Sequence, residues 1–430
     1  MDLGLNYLAN LSYYIPESLA LVTMIGLIFL EVTYDGDEER NMPLYFTLTG
    51  LFLVCLSLIQ NISIQSTSIF FNAVVIDSFS TVMKLIMTLG TLGAVYLAKQ
   101  SSDIGLNFKS EYMIMAVGVL IGGMLLVSAN NMLTIYLGIE TLSILSYVMA
   151  SFNKNDERSS EAGLKYVLYG GVSAGIMLFG MSHIYGVLGT IQFTDLGTKL
   201  AQLSSNDMVI LMPSFLLFFA GLGYKIACVP FHMWSPDVYE GSPIPVTTFF
   251  AIVPKIAGIS VILRVSHIFF GTTGPMQSSW VATITVISIL TMCVGNISAI
   301  NQKSVKRMLA YSSIAHAGYM LMGVVVIDKI GVSAVVFYGL VYLFMTLVSF
   351  YIVNFVSDQY GNDDFDRFKG LVFRYPLFAI LLIVAMLSLA GIPPLGGFVA
   401  KFQLLSAVLT KKYYALAIIA GLNSVISLYY

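Results

Sequence analysis

The sequence predicts an all-α fold, a polytopic bundle of transmembrane helices. Of 430 residues, 57% are hydrophobic and only 10% are charged, against about 25% charged in an ordinary soluble domain. Mean hydropathy is +0.85. Apolar runs close to the roughly 20 residues that a helix needs to span a bilayer recur along the whole chain. Lipid offers the backbone no hydrogen-bond partner, so spanning segments are helices or strands of a closed barrel. Barrel strands would alternate over about 10 residues, whereas these runs are longer and apolar all round.

About thirteen spans follow from run length and charge breaks, at 15–30, 43–60, 73–98, 112–127, 132–151, 162–189, 209–234, 244–269, 281–300, 305–327, 331–356, 376–410 (interrupted) and 414–430. The start lacks the basic region of a signal peptide, its early charges being Asp2 and Glu17, so the first run reads as a retained helix. The last run reaches Tyr430 without a polar tail, so either the chain was cut there or a further helix is expected beyond it.

Lys and Arg set the orientation. Loops after odd-numbered spans carry Arg40, Lys99, Lys109, Lys154, Arg158, Lys303, Lys306, Arg307, Arg367, Lys369 and Arg374. Loops after even-numbered spans carry Lys199, Lys329, Lys411 and Lys412. Eleven against four places the odd loops in the cytoplasm and the N-terminus outside. The acidic run at 35–39 does not weaken this, because acidic residues contribute little to the rule.

A net charge of −2 leaves no nucleic-acid footprint. Cys55, Cys228 and Cys293 stand singly in apolar segments and read as small buried hydrophobes, not as thiolate sets for zinc or iron–sulfur centres. No glycine-rich nucleotide motif is present. The chain is therefore expected to hold no cofactor of its own.

Two spans are interrupted. Pro230 follows Lys225 in the seventh, and Gly391-Ile392-Pro393-Pro394-Leu395-Gly396-Gly397 breaks the twelfth. Broken helices at membrane depth survive where the freed backbone is buried in protein or lines a cavity. Paired breaks in corresponding halves point to a transport site; a mere packing kink explains one break better than two, each beside a lysine.

Of the 21 Lys and Arg, six fall within spans, apart from Lys306 and Arg307 at the very start of the tenth: Lys84, Lys165, Lys225, Lys255, Arg264 and Lys401. Each such charge costs at least about 2.5–3.5 kcal/mol at a helix centre. Lys165 and Arg264 lie near span ends and are expected to snorkel to the headgroups. Lys84 shares a face with Asp77, two turns away and too far for contact; an anchoring contact and a functional role are equally open for it. Lys255 is central in its span, and Lys225 and Lys401 flank the two breaks. Glu140 is mid-span, with Tyr136, Ser143 and Tyr147 at helical spacing. A structural ion pair would account for two of these four charges, and three lysines facing one glutamate leave a surplus that suggests proton traffic. His232 and His316 are candidates for the same path, although a lone histidine in a span is as readily a satisfied core residue.

One spacing suggests internal duplication: 316 − 140 and 401 − 225 are both 176, which pairs the fifth span with the tenth and the seventh with the twelfth. An odd repeat of five helices would invert the second copy in the membrane. The expected division is 1–110 for three N-terminal helices, 111–270 for the first repeat and 280–430 for the second.

Several segments resemble the antiporter-like membrane subunits of proton-translocating NADH–quinone oxidoreductase (respiratory complex I), and within that family the subunit N branch. They are Gly223-Tyr224-Lys225, the stretch from Pro230-Phe231-His232-Met233-Trp234 through Asp237-Val238-Tyr239-Glu240-Gly241 to Thr247, Pro254-Lys255-Ile256-Ala257-Gly258, Ala310-Tyr311-Ser312-Ser313-Ile314-Ala315-His316-Ala317-Gly318-Tyr319, and Gly391 through Phe398. The resemblance covers nearly the whole chain. It implies that Glu140 pairs with Lys225, that Lys255 is a central relay lysine, that Lys401 lies near the exit, and that His232 and His316 line the same axis. It further implies a translocase subunit without a redox centre, set among other membrane subunits in a bacterial inner membrane, with NAD, FMN, iron–sulfur clusters and quinone held by partner subunits. The other function considered is a subunit of an Mrp-type Na⁺/H⁺ antiporter, a secondary transporter using the same residues. A purely structural membrane subunit would leave the mid-membrane lysines without a reason.

Overall fold

The computed structural model describes residues 11–33, 41–200, 205–271 and 275–430; Asp2, the acidic run at 35–39 and Arg40 lie outside them. The helices are α1 (Ile15–Thr33), α2 (Met42–Asn61), α3 (Ser78–Gln100), α4 (Lys109–Val127), α5 (Met132–Ala150), α6 (Glu157–Leu188), α7 (Phe193–Leu200), α8 (Ser205–Ile226), α9 (Trp234–Gly241) and α10 (Ile244–Phe270). They continue as α11 (Pro275–Ile300), α12 (Val305–Val326), α13 (Lys329–Tyr360), α14 (Phe365–Phe368), α15 (Leu371–Arg374), α16 (Pro376–Ala390), α17 (Gly396–Thr410) and α18 (Tyr414–Ile426).

Among the described residues, eleven helices are long and apolar enough to cross a membrane, and they coincide with the first eleven expected runs. The twelfth run is α16 and α17, and the thirteenth is α18, all three being shorter apolar helices. The bundle is nearly all helix, as expected, with one small exception. The run expected at 73–98 begins as a strand: β1 (Thr67–Ile69) pairs antiparallel with β2 (Val74–Ile76). Asp77 then starts α3, accepting from the Ser80 amide at 2.7 Å while Ser80 Oγ accepts from the Asp77 amide. This reciprocal cap decides where extended chain becomes helix. The run expected at 209–234 also divides, because α8 stops at Ile226 and Trp234 opens α9.

α10 is enclosed along its whole apolar length and α12 nearly so, while α1 and α2 present most of their surface outward. Small residues bring the central helices together, as packing within lipid demands. Gly318 on α12 backs onto the Met292 backbone of α11 so closely that a β-carbon would not fit.

The spans' outer charges meet carboxylates. Arg264 donates to both oxygens of Asp77 at 3.0 and 3.1 Å. Lys165 meets Glu161 at 2.6 Å and Asp237 at 2.7 Å. Snorkelling was the expectation for both; each also has a carboxylate partner on a neighbouring turn or helix. Lys84 takes its partner from a helix that sequence spacing did not connect to it: it is ion-paired with Glu17 of α1, and both side chains are only 2% exposed. Glu17 is thus a buried glutamate that the sequence reading did not single out.

The Asp237-Val238-Tyr239-Glu240 run ties three helices together at one rim. Asp237 on α9 binds Lys165 of α6 and, at 2.9 Å, Arg307 of α12; Glu240 also binds Arg307. Burial pushes the Asp237 carboxyl up, and the hydrogen bonds and charges of Lys165 and Arg307 overcome this, holding it below the ordinary carboxylate range.

Breaking a buried pair strands a charge, at a cost of about 3–5 kcal/mol. Glu17→Gln is therefore expected to lower the thermal midpoint of the detergent-solubilised protein sharply, and Glu17→Leu with Lys84→Met to recover most of the loss; equal effects of single and double variants would contradict the pairing. The rim cluster is about a third exposed, so each pair contributes only ~0.2–1 kcal/mol. Its depressed carboxyl stabilises at neutral pH and ceases to do so as pH falls through the lowered value. Asp237→Asn should cost a few degrees at low salt and less at about 1 M salt, where screening is strong.

Candidate functional site

Two interrupted helices supply the frame. At the end of α8 the chain turns through Ala227, at φ +56°. The amides freed there find partners: Ala227 N donates to Tyr224 O and Cys228 N to Gly223 O, both at 3.0 Å, and Val229 N donates to Thr291 Oγ1 of α11 at 3.0 Å. Trp234 Nε1 returns a bond of 3.1 Å to Tyr224 O. With these amides satisfied, the turn at Ala227 and Cys228 is buried, while Pro230 and Met233 are exposed. The second break ends α16 at Gly391, whose φ of +88° suits glycine, and Pro393 and Pro394 cannot extend the helix. The Ala390 carbonyl left free accepts from Lys401 Nζ at 2.8 Å and from Ser424 Oγ at 3.0 Å. A helix C-terminus attracts a cation, so the break itself makes the lysine's seat.

The structure brings Lys225, Lys255, His316 and Lys401 into one buried file. Lys225 is 1%, Lys255 1% and Lys401 4% exposed. Among the described residues none of the three is ion-paired with a carboxylate, whereas Lys84, Lys165, Arg264 and Arg307 all are. Lys225 Nζ faces the rings of Tyr147 and Tyr166 at 5.7 and 5.3 Å and touches Tyr166 Oη at 3.5 Å. Lys255 Nζ lies 5.6 Å from the Tyr239 ring and donates to Ser313 Oγ at 2.6 Å.

From Ser313 the file climbs α12. His316, one turn on, holds Tyr338 Oη at 2.5 Å through Nδ1. Tyr319, another turn on, lays its ring 4.6 Å from Lys401 Nζ. Residues at i, i+3 and i+6 share one helix face, so a single face of α12 connects Lys255 to Lys401. Between Lys225 and Lys255 the link is aromatic: Tyr166 stacks on Trp234 at 4.4 Å, and Trp234 meets Tyr239 edge-on at 6.3 Å.

Glu140 and His232 stand apart. Glu140 is half-buried on α5 and forms no ion pair with Lys225; Tyr147, two turns further along α5, is the residue that reaches the lysine. His232 sits half-buried in the first break, with no hydrogen bond to any of the three lysines.

The linkers Tyr166, Tyr239, Ser313, Tyr319 and Tyr338 were not singled out from sequence. Their signal was present as hydroxyl side chains inside quoted motifs or at helical spacing, but tyrosine is common in apolar spans and spacing within one helix does not reveal which lysine it meets.

A protein-family model described as NADH:quinone oxidoreductase/Mrp antiporter, TM, matches residues 129–427. The chain is similar to an NADH-quinone oxidoreductase subunit N of Chlorobium chlorochromatii, 37% identical over 431 residues and covering 98% of this chain and 84% of the relative. It is similar to a chain of respiratory complex I from Thermus thermophilus, with a TM-score of 0.81 and 30% identity over 96% of this chain and 87% of that one. A chain of the Mrp complex from Dietzia shares the fold, with a TM-score of 0.84 at 23% identity over 96% of this chain and 78% of that one. The protein is thus a multi-pass membrane subunit, and it belongs to the NADH:quinone oxidoreductase/Mrp antiporter transmembrane family.

Proposed function

We propose that this chain is a proton-translocating membrane subunit of an NADH–quinone oxidoreductase, moving protons through a relay of Lys225, Lys255 and Lys401. The observation that carries this is the file of three buried lysines without carboxylate partners, joined by Ser313, His316 and Tyr319. Lys84, by contrast, is paired with a buried carboxylate, Glu17.

Desolvation favours the neutral amine and a nearby carboxylate favours the ammonium. Moving Glu140 toward Lys225 and away again switches the proton affinity of the first lysine. Its charge acts on Lys255, and that on Lys401, through like-charge repulsion in a medium that screens poorly. Moving one proton against about 150–200 mV needs ~3.5–4.6 kcal/mol, at about 2.3 kcal/mol per 100 mV. That is roughly a thousandfold change in affinity, at 1.36 kcal/mol per tenfold, within the range that burial and a partner's loss produce.

In this reading the subunit is non-redox. NAD, FMN, iron–sulfur clusters and quinone belong to partner subunits, whose electron transfer drives Glu140 and Lys225 apart. The subunit sits among the other membrane subunits of the complex in a bacterial cytoplasmic membrane, with its N-terminus on the outer side. The two halves, 111–270 and 280–430, are inverted five-helix repeats in which Lys225 and Lys401 correspond; a lysine beside each helix break supports this. The relatives named as subunits N favour this function over the Mrp reading, since the Mrp likeness is one of the wider family and of fold.

In proteoliposomes holding the assembled complex, Lys225→Ala and Lys401→Ala should each lower the protons moved per electron; an unchanged ratio in both would overturn the relay. Pumping should also persist when K⁺ replaces Na⁺ throughout, whereas an Mrp-type exchanger would lose its transport.

A further inference from the structure

The short helix α9 carries different chemistry on its two faces. Ser235, Val238 and Tyr239, at i, i+3 and i+4, point inward and are fully buried. Asp237 and Glu240, three residues apart, point to the rim, where each is about a third exposed. The inner face meets the relay. Tyr239 lays its ring 5.6 Å from Lys255 Nζ, and Trp234 at the start of α9 stacks on Tyr166, whose hydroxyl touches Lys225. The Tyr239 hydroxyl is buried near those of Ser235 and Ser313, yet among the described residues it has no hydrogen-bond partner. No bond of its own fixes it, so its place is inherited from the backbone of α9.

A helix of two turns, entered through a break, has too few internal hydrogen bonds to hold itself. Its ends are tied down from outside. Trp234 Nε1 donates to Tyr224 O at 3.1 Å; at the other end Thr247 Oγ1 donates to Tyr239 O at 2.9 Å and Lys306 Nζ to Ser242 O at 3.0 Å. These ties resist sliding along the axis. Rotation about the axis is left to the outer face. α9 packs against both α6 and α12, and Asp237 is gripped from each, by Lys165 at 2.7 Å and Arg307 at 2.9 Å, while Glu240 adds a second hold on Arg307. Part-exposed pairs of this kind add little stability. Two cations on different helices, sharing one carboxylate, do fix an angle.

We propose that Asp237 is a positioning residue for the relay: held between Lys165 and Arg307, it sets the rotation of α9 and so keeps the Tyr239 hydroxyl in the gap between Lys225 and Lys255. The proposal rests on reading those two lysines as proton carriers. A proton leaving the ammonium of Lys225 crosses on water bonded to the Tyr239 hydroxyl and joins the neutral amine of Lys255, and the phenol ends as it began. With the outer face released, α9 turns, the hydroxyl leaves the gap, and the hand-over slows although no lysine has changed.

In proteoliposomes of the assembled complex, Asp237→Asn should lower the protons moved per electron, with partial recovery in Asp237→Glu, which keeps the charge. Asp328→Asn alters a comparable exposed pair, with Lys411 at 3.1 Å, at the start of α13, and should pump normally. A second measurement follows α9 itself. The chain has two tryptophans, Trp234 and Trp280, so Trp280→Phe in the full solubilised chain leaves an emission that reports Trp234. Asp237→Asn should shift that emission. Salt at about 1 M, where the Debye length is ~3 Å, should shift it in the chain that keeps Asp237 and leave Asp237→Asn unmoved. Normal pumping by Asp237→Asn, an equal loss in Asp328→Asn, or an emission indifferent to both variant and salt would each overturn the proposal. Should Asp237→Asn fail to assemble, Lys165→Met, which releases one of the two cations, replaces it in both measurements. Normal pumping by Lys225→Ala and Lys401→Ala would defeat the relay and this role with it, whereas a loss in those variants beside normal pumping by Asp237→Asn would defeat the positioning alone.

Discussion

Three lysine side chains buried, among the described residues, without a carboxylate within ion-pair distance are the constraint around which this bundle is organised. Lipid cannot solvate them, and each costs more than packing alone returns. The surrounding helices answer with weaker and more numerous contacts: aromatic faces for Lys225, one hydroxyl for Lys255, a freed carbonyl and a hydroxyl for Lys401. Such partners stabilise a cation without fixing it. A carboxylate at contact distance would hold the proton in place, and the Glu17–Lys84 pair shows what that looks like in the same protein.

The helix breaks follow from this demand. An unbroken α-helix spends its carbonyls internally, so a carbonyl seat for an ammonium at membrane depth requires an interruption. At Gly391 the backbone reverses and Ala390 O becomes available. At Ala227 the freed amides are absorbed by α8 itself and by Thr291 of α11, which leaves Lys225 to the rings of Tyr147 and Tyr166. The first break is therefore closed by hydrogen bonds and the second is open to a side chain. The rim cluster of Asp237, Glu240, Lys165 and Arg307 then ties α6, α9 and α12 together at one end of the file.

Hydropathy was sufficient to read the bundle from sequence, because apolar runs bounded by charge are a strong signal. It failed where a local hydrogen bond outweighed hydropathy, as at the Asp77 cap that delays α3 behind a hairpin. The lysines of the file were legible because a charge in a span is rare. Their linkers were not, since Tyr239, Ser313 and Tyr319 look ordinary until α9 and α12 are seen against α10 and α17. Pairing between distant helices was equally hidden: Lys84 and Glu17 are 67 residues apart, and nothing in either span names the other. Glu140 was legible as a charge, and in this state it stands off from Lys225 with Tyr147 making the contact.

The central claim, a proton path through three unpaired lysines, is tested most directly by a structure of the assembled complex at a resolution that shows water. The account predicts ordered water bridging Lys225 to Lys255 beside Tyr239, and Lys255 to Lys401 along the Ser313, His316 and Tyr319 face of α12. A dry, apolar-packed gap between any two of these lysines in every state of the working complex would contradict it.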